Sequence, residues 1–385
     1  MNIPQLRKGF PILDKMNYLN TAASGPMLKP VQDAVIDWWK EKEEHQYTDL
    51  PDPRIPAAEL IHCDQKDIAL IHRASQGVNI VAGLMELERG DNIVLTDLSY
   101  PSSVYPWMGK QAEIKRIRNK DGIIDLADYE KAIDDSTRFV CLNRVEWTSG
   151  QRHNAKEISR IAHEHGALVL DDAFQAVGAI DVNVKRDDVD FLVFGGEKWL
   201  CSPARAAVLY VKPEHVERFT PDYRFYWRVY ENFQWTDAPW DKPIHDNIKS
   251  WSGELVKTAE RFDPGCVGED AQSGLDASLR YFNNLGIKKI EERVLSLTRY
   301  LLDGLKDLGV RVNTPIDSVE HAGIVTYTLE SYENNVESYE ALRRNGVNVA
   351  HRYSAGIGGI RVSPHFFNTE EEIDEALKIQ NHCIH

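Results

Sequence analysis

Cysteine is scarce in this chain, and the residues that occur, Cys63, Cys141, Cys201, Cys266 and Cys383, follow no CxxC or other regular spacing. An odd, scattered set excludes a disulfide framework and supplies no cysteine-based zinc motif. Histidine does not fill the gap. The pairs His163/His165 and His382/His385 have no companion ligands nearby, so no metal is expected. Long apolar runs are missing as well. Nothing approaches the ~20 residues that cross a bilayer, and the first residues lack the basic-then-apolar order of a signal peptide, so a cytoplasmic protein without a membrane partner is expected. Positive charge is also short: 45 Lys and Arg face 60 Asp and Glu, a net charge of −15, which argues against a nucleic-acid partner. Internal repeats and low-complexity tracts are absent. What is present is enough apolar material, 42% of 385 residues, to build a large domain with a smaller appendage.

The chain begins with an irregular arm, residues 1–30, punctuated by Pro and Gly, in which YLNTAAS is a short extended piece ahead of a turn at Gly25-Pro26. A helix is expected after Pro30, since Val31, Val35, Ile36 and Trp39 recur at helical spacing; it should fade in the polar, Pro-broken segment 41–56. From residue 68 short apolar strands alternate with helices: strands 68–71, 93–96, 114–117 and 139–145, and helices 75–87, 105–110, 126–133 and 155–165, the last capped by Asn154. Such alternation predicts an α/β fold with a mostly parallel central sheet and helices on both faces. Residues 219–251 interrupt it with a crowd of aromatic side chains that suits a pocket wall, a subunit interface or a self-packed loop. Long helices, 268–285 and 287–308, then lead to a smaller C-terminal α+β unit with strands 310–312, 324–329 and 359–362 and helices from about 336 and 369. The expected division is an arm, 1–30; a large domain, 31–265, including the aromatic loop; and linking helices with a small domain, 266–385.

The chemistry concentrates in residues 167–200, ALVLDDAFQAVGAIDVNVKRDDVDFLVFGGEKWL. Runs 167–170 and 191–194 read as buried strands, the first closed by Asp172 and the second followed by Lys198. A parallel sheet places both at its carboxyl-end crevice, where ligands bind. Alone, Asp172 is a turn cap and Lys198 a surface lysine. Together they suit pyridoxal phosphate: a lysine able to form a Schiff base with an aldehyde, and a carboxylate to hold a protonated pyridine nitrogen. Gln175, three residues on, can donate to the phenolic oxygen. The strand-to-helix junction Arg73-Ala74-Ser75-Gln76-Gly77 offers amides, a helix dipole and a hydroxyl to a phosphate, although Ser75 also reads as a plain helix cap.

Eight segments in a fixed order resemble the class V aminotransferase family of fold type I pyridoxal-phosphate enzymes, which includes cysteine desulfurases, selenocysteine lyases and isopenicillin N epimerase-like proteins. They are YLNTAASGP at 18–26, RASQGVN at 73–79, LSYPSSVYPW at 98–107, VEWTSG at 145–150, LDDAFQAVG at 170–178, GGEKWL at 195–200, ERFDPG at 260–265 and IRVSPHFFNTEEEID at 360–374. The resemblance implies Lys198 as the Schiff-base lysine, Asp172 as the pyridinium partner and Gln175 as the donor to the phenolic oxygen. It implies Ser75 and Gln76 at the phosphate and Tyr100 over the ring face. Arg361 would bind the substrate α-carboxylate through its planar fork, with Asn20 and Thr21 lining the substrate side. A homodimer is implied too, with the active site at its interface.

Several positions depart from the pattern. Where the family supplies a Ser or Thr, a His and a partner-subunit Thr to the phosphate, this chain has Gly195, Glu197 and Cys266. Arg205 is one candidate for the missing positive charge. Desulfurases attack substrate sulfur with a cysteine shortly before the carboxylate-binding arginine, whereas residues 346–359 contain His351, Arg352 and Tyr353 but no cysteine. The expected function is therefore a pyridoxal-phosphate transferase or lyase that forms an external aldimine with a small amino acid and moves its α-proton through Lys198. Cysteine desulfurase or selenocysteine/cysteine C–S lyase chemistry is the alternative, and a non-catalytic sensor on the same fold is the second.

Overall fold

The computed structural model describes residues 1–45, 50–223, 255–317 and 319–384; most of the aromatic loop 219–251 lies outside them. The large sheet is built from β2 (Ile68–Ile71), β3 (Asn92–Thr96), β4 (Glu113–Ile117), β5 (Thr137–Asn143), β6 (Leu168–Asp172), β7 (Phe191–Gly195) and β8 (Ala207–Val211), after a short β1 (Asn17–Tyr18) in the arm. Its order is β2-β8-β7-β6-β5-β3-β4, and β8 alone runs against its neighbours. The expected mostly parallel α/β sheet is what forms.

Its inner strands read as near-continuous apolar runs because both faces are covered, whereas the edge strand β4 is largely polar and part-exposed. Successive side chains point to opposite faces. Ile93, Leu95, Phe139, Cys141, Phe191 and Val193 enter one core, while Val94, Val140, Leu142, Leu192 and Phe194 enter the other. The helix Ala74–Leu84 lies close on the sheet because Gly77 has no side chain: a Cβ there would meet Val193 Cγ1 at 2.5 Å. This contact fixes the helix N-terminus beside the end of β7.

A second sheet, order β12-β13-β10-β9, comprises β9 (Arg311–Val312), β10 (Val325–Thr328), β12 (Ala350–Ser354) and β13 (Ile357–Val362), with β11 (Val347–Asn348) just before β12. A third core, including Leu297, Leu301, Val325, Ile360 and Ile373, fills the space between this sheet and its helices. The arm is less irregular than expected. It holds a helix, Ile3–Arg7, and β1 pairs in parallel with β11, so residues from opposite chain ends meet.

Other boundaries also differ from expectation. The helix expected at 105–110 is a turn of helix at Pro101–Val104 followed by a 3-10 turn at Tyr105–Trp107, because Pro101 starts a helix and Pro106 removes a donor. The helix Lys29–Glu44 ends in the expected region, but a further helix, Arg54–Ile61, was not anticipated; it is short, mostly buried and carries Pro56 in its first turn. Strand β12 was also missed, since only Ala350 of its residues is buried and no apolar alternation marks it.

Candidate active site

Parallel pairing of β6 with β7 sets Asp172 opposite Val193, so Asp172 and the turn carrying Lys198 leave the sheet at the same edge. Asp172 is 6% exposed. Its Oδ2 accepts from Ser103 Oγ at 2.5 Å and Asn143 Nδ2 at 3.4 Å, and its Oδ1 from the Phe174 amide at 3.2 Å. Burial raises its pKa, and Ser103, the Phe174 amide and Lys198 oppose that rise.

Lys198 Nζ lies 4.0 Å from the ring centroid of Phe174 and 5.7 Å from that of Tyr100. It takes no hydrogen bond among the described residues. Burial and then the charge of Arg361 push the amine down to about 8, against the pull of Asp172 and Glu197. The lysine's backbone is pinned by the arm. Gly25 donates its amide to Glu197 O at 2.9 Å, and a Cβ on Gly25 would fall 2.0 Å from Lys198 O. Only glycine allows that approach.

Gln175 is oriented by a donor that cannot accept. The Trp199 indole N–H donates to its Oε1 at 2.9 Å, so the carboxamide nitrogen faces the other way, giving one N–H to Ala22 O at 3.0 Å and keeping a second. At the start of the helix Ala74–Leu84, Arg73 provides no side-chain cap. The amides of Ala74 and Ser75 take no hydrogen bond among the described residues, which leaves a concentration of donors aimed at an anion. Gln76 Oε1 accepts from the His72 amide at 2.9 Å and closes this turn.

Arg361, on β13, is 2% exposed and donates Nη1 to Trp147 O at 2.7 Å. Its buried Nε has no partner, and no carboxylate pairs with it among the described residues. Burial lowers its pKa to about 9, with a further push from Arg352 and an opposing pull from Tyr100. The arm runs alongside, Asn20 bridging to Ser363. Among the described residues, Asn20 Oδ1 and Thr21 Oγ1 are buried without partners, like Arg361 Nε. Buried polar atoms are normally paired. A buried guanidinium with a donor to spare suits a carboxylate ligand, and the Thr21 hydroxyl is a second possible donor, whereas Asn20 Oδ1 can only accept.

Sequence reasoning missed Ser103, Asn143, Phe174 and Trp147. Ser103 and Trp147 lie inside the segments LSYPSSVYPW and VEWTSG, but nothing in one sequence says that a serine there faces Asp172. Trp147 stacks edge-on against Tyr100 at 5.4 Å and anchors its indole on Leu98 O at 3.0 Å, walling the site beside Arg361. Of the departing positions, Arg205 is exposed in a left-handed turn, φ +81°, and Cys266 is exposed.

The donor set fits pyridoxal phosphate on this structure's own terms: an amine without a hydrogen bond, a buried carboxylate at the neighbouring strand end, and uncapped helix amides. Fold and site define a pyridoxal-phosphate-dependent enzyme. The chain belongs to the class-V aminotransferase family, whose model matches residues 40–241 and 248–376. A Pyrococcus abyssi protein named probable cysteine desulfurase is 26% identical over 411 aligned positions, spanning 100% of this chain and 98% of its own. The apo structure of a cysteine desulfurase from Thermococcus onnurineus superposes with a TM-score of 0.86 at 25% identity, covering 100% of this chain and 98% of that one. A cystine C-S lyase solved with its product cysteine persulfide shares the fold, with a TM-score of 0.84 at 20% identity over 97% of this chain and 99% of that one.

Proposed function

We propose that this enzyme acts on a small amino acid whose α-carboxylate is gripped by Arg361 while Lys198 moves its α-proton. The observation that carries the reading is the buried Arg361 guanidinium, which has no carboxylate partner among the described residues, with its charge felt at Lys198. When bound, pyridoxal phosphate withdraws electrons from the α-carbon of an attached amino acid. Lys198 would hold the aldehyde of the cofactor; its amine, pushed down to about 8, is matched to giving and taking a proton near neutral pH. Asp172, steadied by Ser103 and the Phe174 amide, keeps the pyridine nitrogen protonated. The spare N–H of Gln175 serves the phenolic oxygen. Ser75, the nitrogen of Gln76 and the free helix amides take the phosphate. Tyr100 covers the ring face, and Phe174 helps exclude water from Lys198. Asn20 and Thr21 offer their orphan oxygens to the substrate.

A sulfur-containing amino acid such as cysteine is the substrate class that the named relatives support. The geometry lends no support to a protein persulfide. The segment before Arg361 is a tight hairpin: β12 and β13 pair from Ala350↔Arg361 to Ser354↔Ile357, and the turn uses Ala355 and Gly356 at φ +45° and +84°. Its tip is tied down by Asn119 Nδ2 on Ala355 O at 3.1 Å. Cys141 and Cys201 are buried with their thiol pKa values raised, and Cys63 is pushed up to about 12 by burial. We therefore favour expulsion of the leaving group without a thiolate from the hairpin or from these three cysteines. A screen of amino acids for sulfide release, keto-acid formation and racemisation tests this. Sulfide release that survives replacement of every cysteine is expected; release abolished by one cysteine replacement would sink it.

Homodimerisation, cytoplasmic location and the division into arm, large domain and small domain belong to the same proposal. Exposed apolar side chains support a subunit contact: Ile36 and Trp39 on the helix Lys29–Glu44, and Tyr105 and Met108 after the helix Pro101–Val104. Light scattering would show a dimer. A monomer with full activity would remove this part of the reading.

A further inference from the structure

The phosphate corner contains an ion pair that the rest of the site leaves unexplained. Arg73, from which the helix Ala74–Leu84 springs, brings Nη1 to 3.5 Å from Oε1 of Glu197, the residue directly before Lys198. Glu197 is folded back over its own turn, for a Cβ on Gly195 would meet its Oε2 at 2.6 Å. The side chains are 54% and 21% exposed, so the pair is reachable from solvent, and Arg73 directly precedes the Ala74 and Ser75 amides that make no hydrogen bond among the described residues. A lone carboxylate at this position would repel a phosphate dianion. A guanidinium beside it cancels that charge and keeps donors for a second, more highly charged partner.

We propose that Arg73 is a phosphate-binding residue of this enzyme and that Glu197 holds its guanidinium at the helix N-terminus. The pair would thus supply what Gly195 and Glu197 withhold relative to the family pattern, and it takes the role for which Arg205 was the sequence candidate. The inference rests on the cofactor reading above. Its chemistry is specific to the phosphate, because neither residue is asked to touch the ring or the aldehyde.

Apo-protein titrated with pyridoxal phosphate and, separately, with pyridoxal, which lacks the phosphate, tests this through the absorbance of the lysine–aldehyde bond. Arg73→Ala is expected to weaken pyridoxal phosphate binding by about 10- to 100-fold and to leave pyridoxal binding within about twofold, which also shows the fold intact. Adding Glu197→Gln to Arg73→Ala should recover at least about fivefold of the loss, since the repelling carboxylate goes with the arginine. An unchanged affinity for pyridoxal phosphate in Arg73→Ala, an equal loss for both aldehydes, or no recovery in the double variant would overturn the inference while leaving the cofactor reading standing. If the unsubstituted protein binds neither aldehyde, the cofactor reading fails and this inference falls with it.

Discussion

The floor of the site and its rim are built by different rules. On the floor, Asp172 and Gln175 are each held by several partners, and the Lys198 backbone is pinned by the Gly25 contact. On the rim, Arg361 Nε, Asn20 Oδ1 and Thr21 Oγ1 are buried with no hydrogen-bond partner among the described residues. A satisfied network fixes positions; an unsatisfied one leaves polar groups for a ligand to complete. On the proposed function, the floor prepares the chemistry and the rim recognises the substrate.

That contrast makes the two regions separable by kinetics. Lys198→Ala, on the floor, should cut turnover by about 10⁴-fold, the upper range for a general acid–base, with substrate binding little changed by equilibrium titration. Arg361→Met, on the rim, should instead raise KM by about 100-fold, as loss of charge-assisted hydrogen bonds implies, with a smaller effect on kcat. A turnover loss in Arg361→Met as large as that in Lys198→Ala would break the division. Gly25→Ala tests the seam between arm and floor. Its Cβ would strike the Lys198 carbonyl, so a thermal or denaturant melt should show a loss of about 1–3 kcal/mol, with aldehyde binding weakened as well. An unaffected variant would mean the arm does not set the lysine's position.

The smallest expected effect concerns pH. Because Arg361 disfavours the Lys198 ammonium, the reactive neutral amine grows in as pH rises through about 8 in the unsubstituted protein. Removing that positive charge makes the ammonium easier to keep, so Arg361→Met should move the midpoint of aldehyde capture to higher pH. A shift to lower pH would contradict the sign of the coupling.

The same contrast governs what could be read from the sequence. Strand-end chemistry is local: apolar runs ending in Asp172 and leading to Lys198 announce a crevice at one sheet edge, and the structure brings both there. The partners of that floor come from distant segments. Ser103 lies 69 positions before Asp172, and Ala22 lies 153 before Gln175. Periodicity carries no trace of such pairings. On the rim, Arg361 stood out through its segment, but the tight hairpin in front of it did not, because β12 is largely exposed and lacks alternation. Glu197 is legible as a departure from the family pattern, but its pairing with Arg73, like the edge-on contact of Trp147 with Tyr100, follows only from the fold.

Lys198 is the residue proposed to capture the cofactor. Borohydride reduction of the protein after incubation with pyridoxal phosphate, followed by peptide mass spectrometry, addresses this directly. One phosphopyridoxyl group on Lys198, lost in Lys198→Ala, is the predicted result. Label confined to other lysines, or no stable label in a protein that still turns over amino acids, would contradict it.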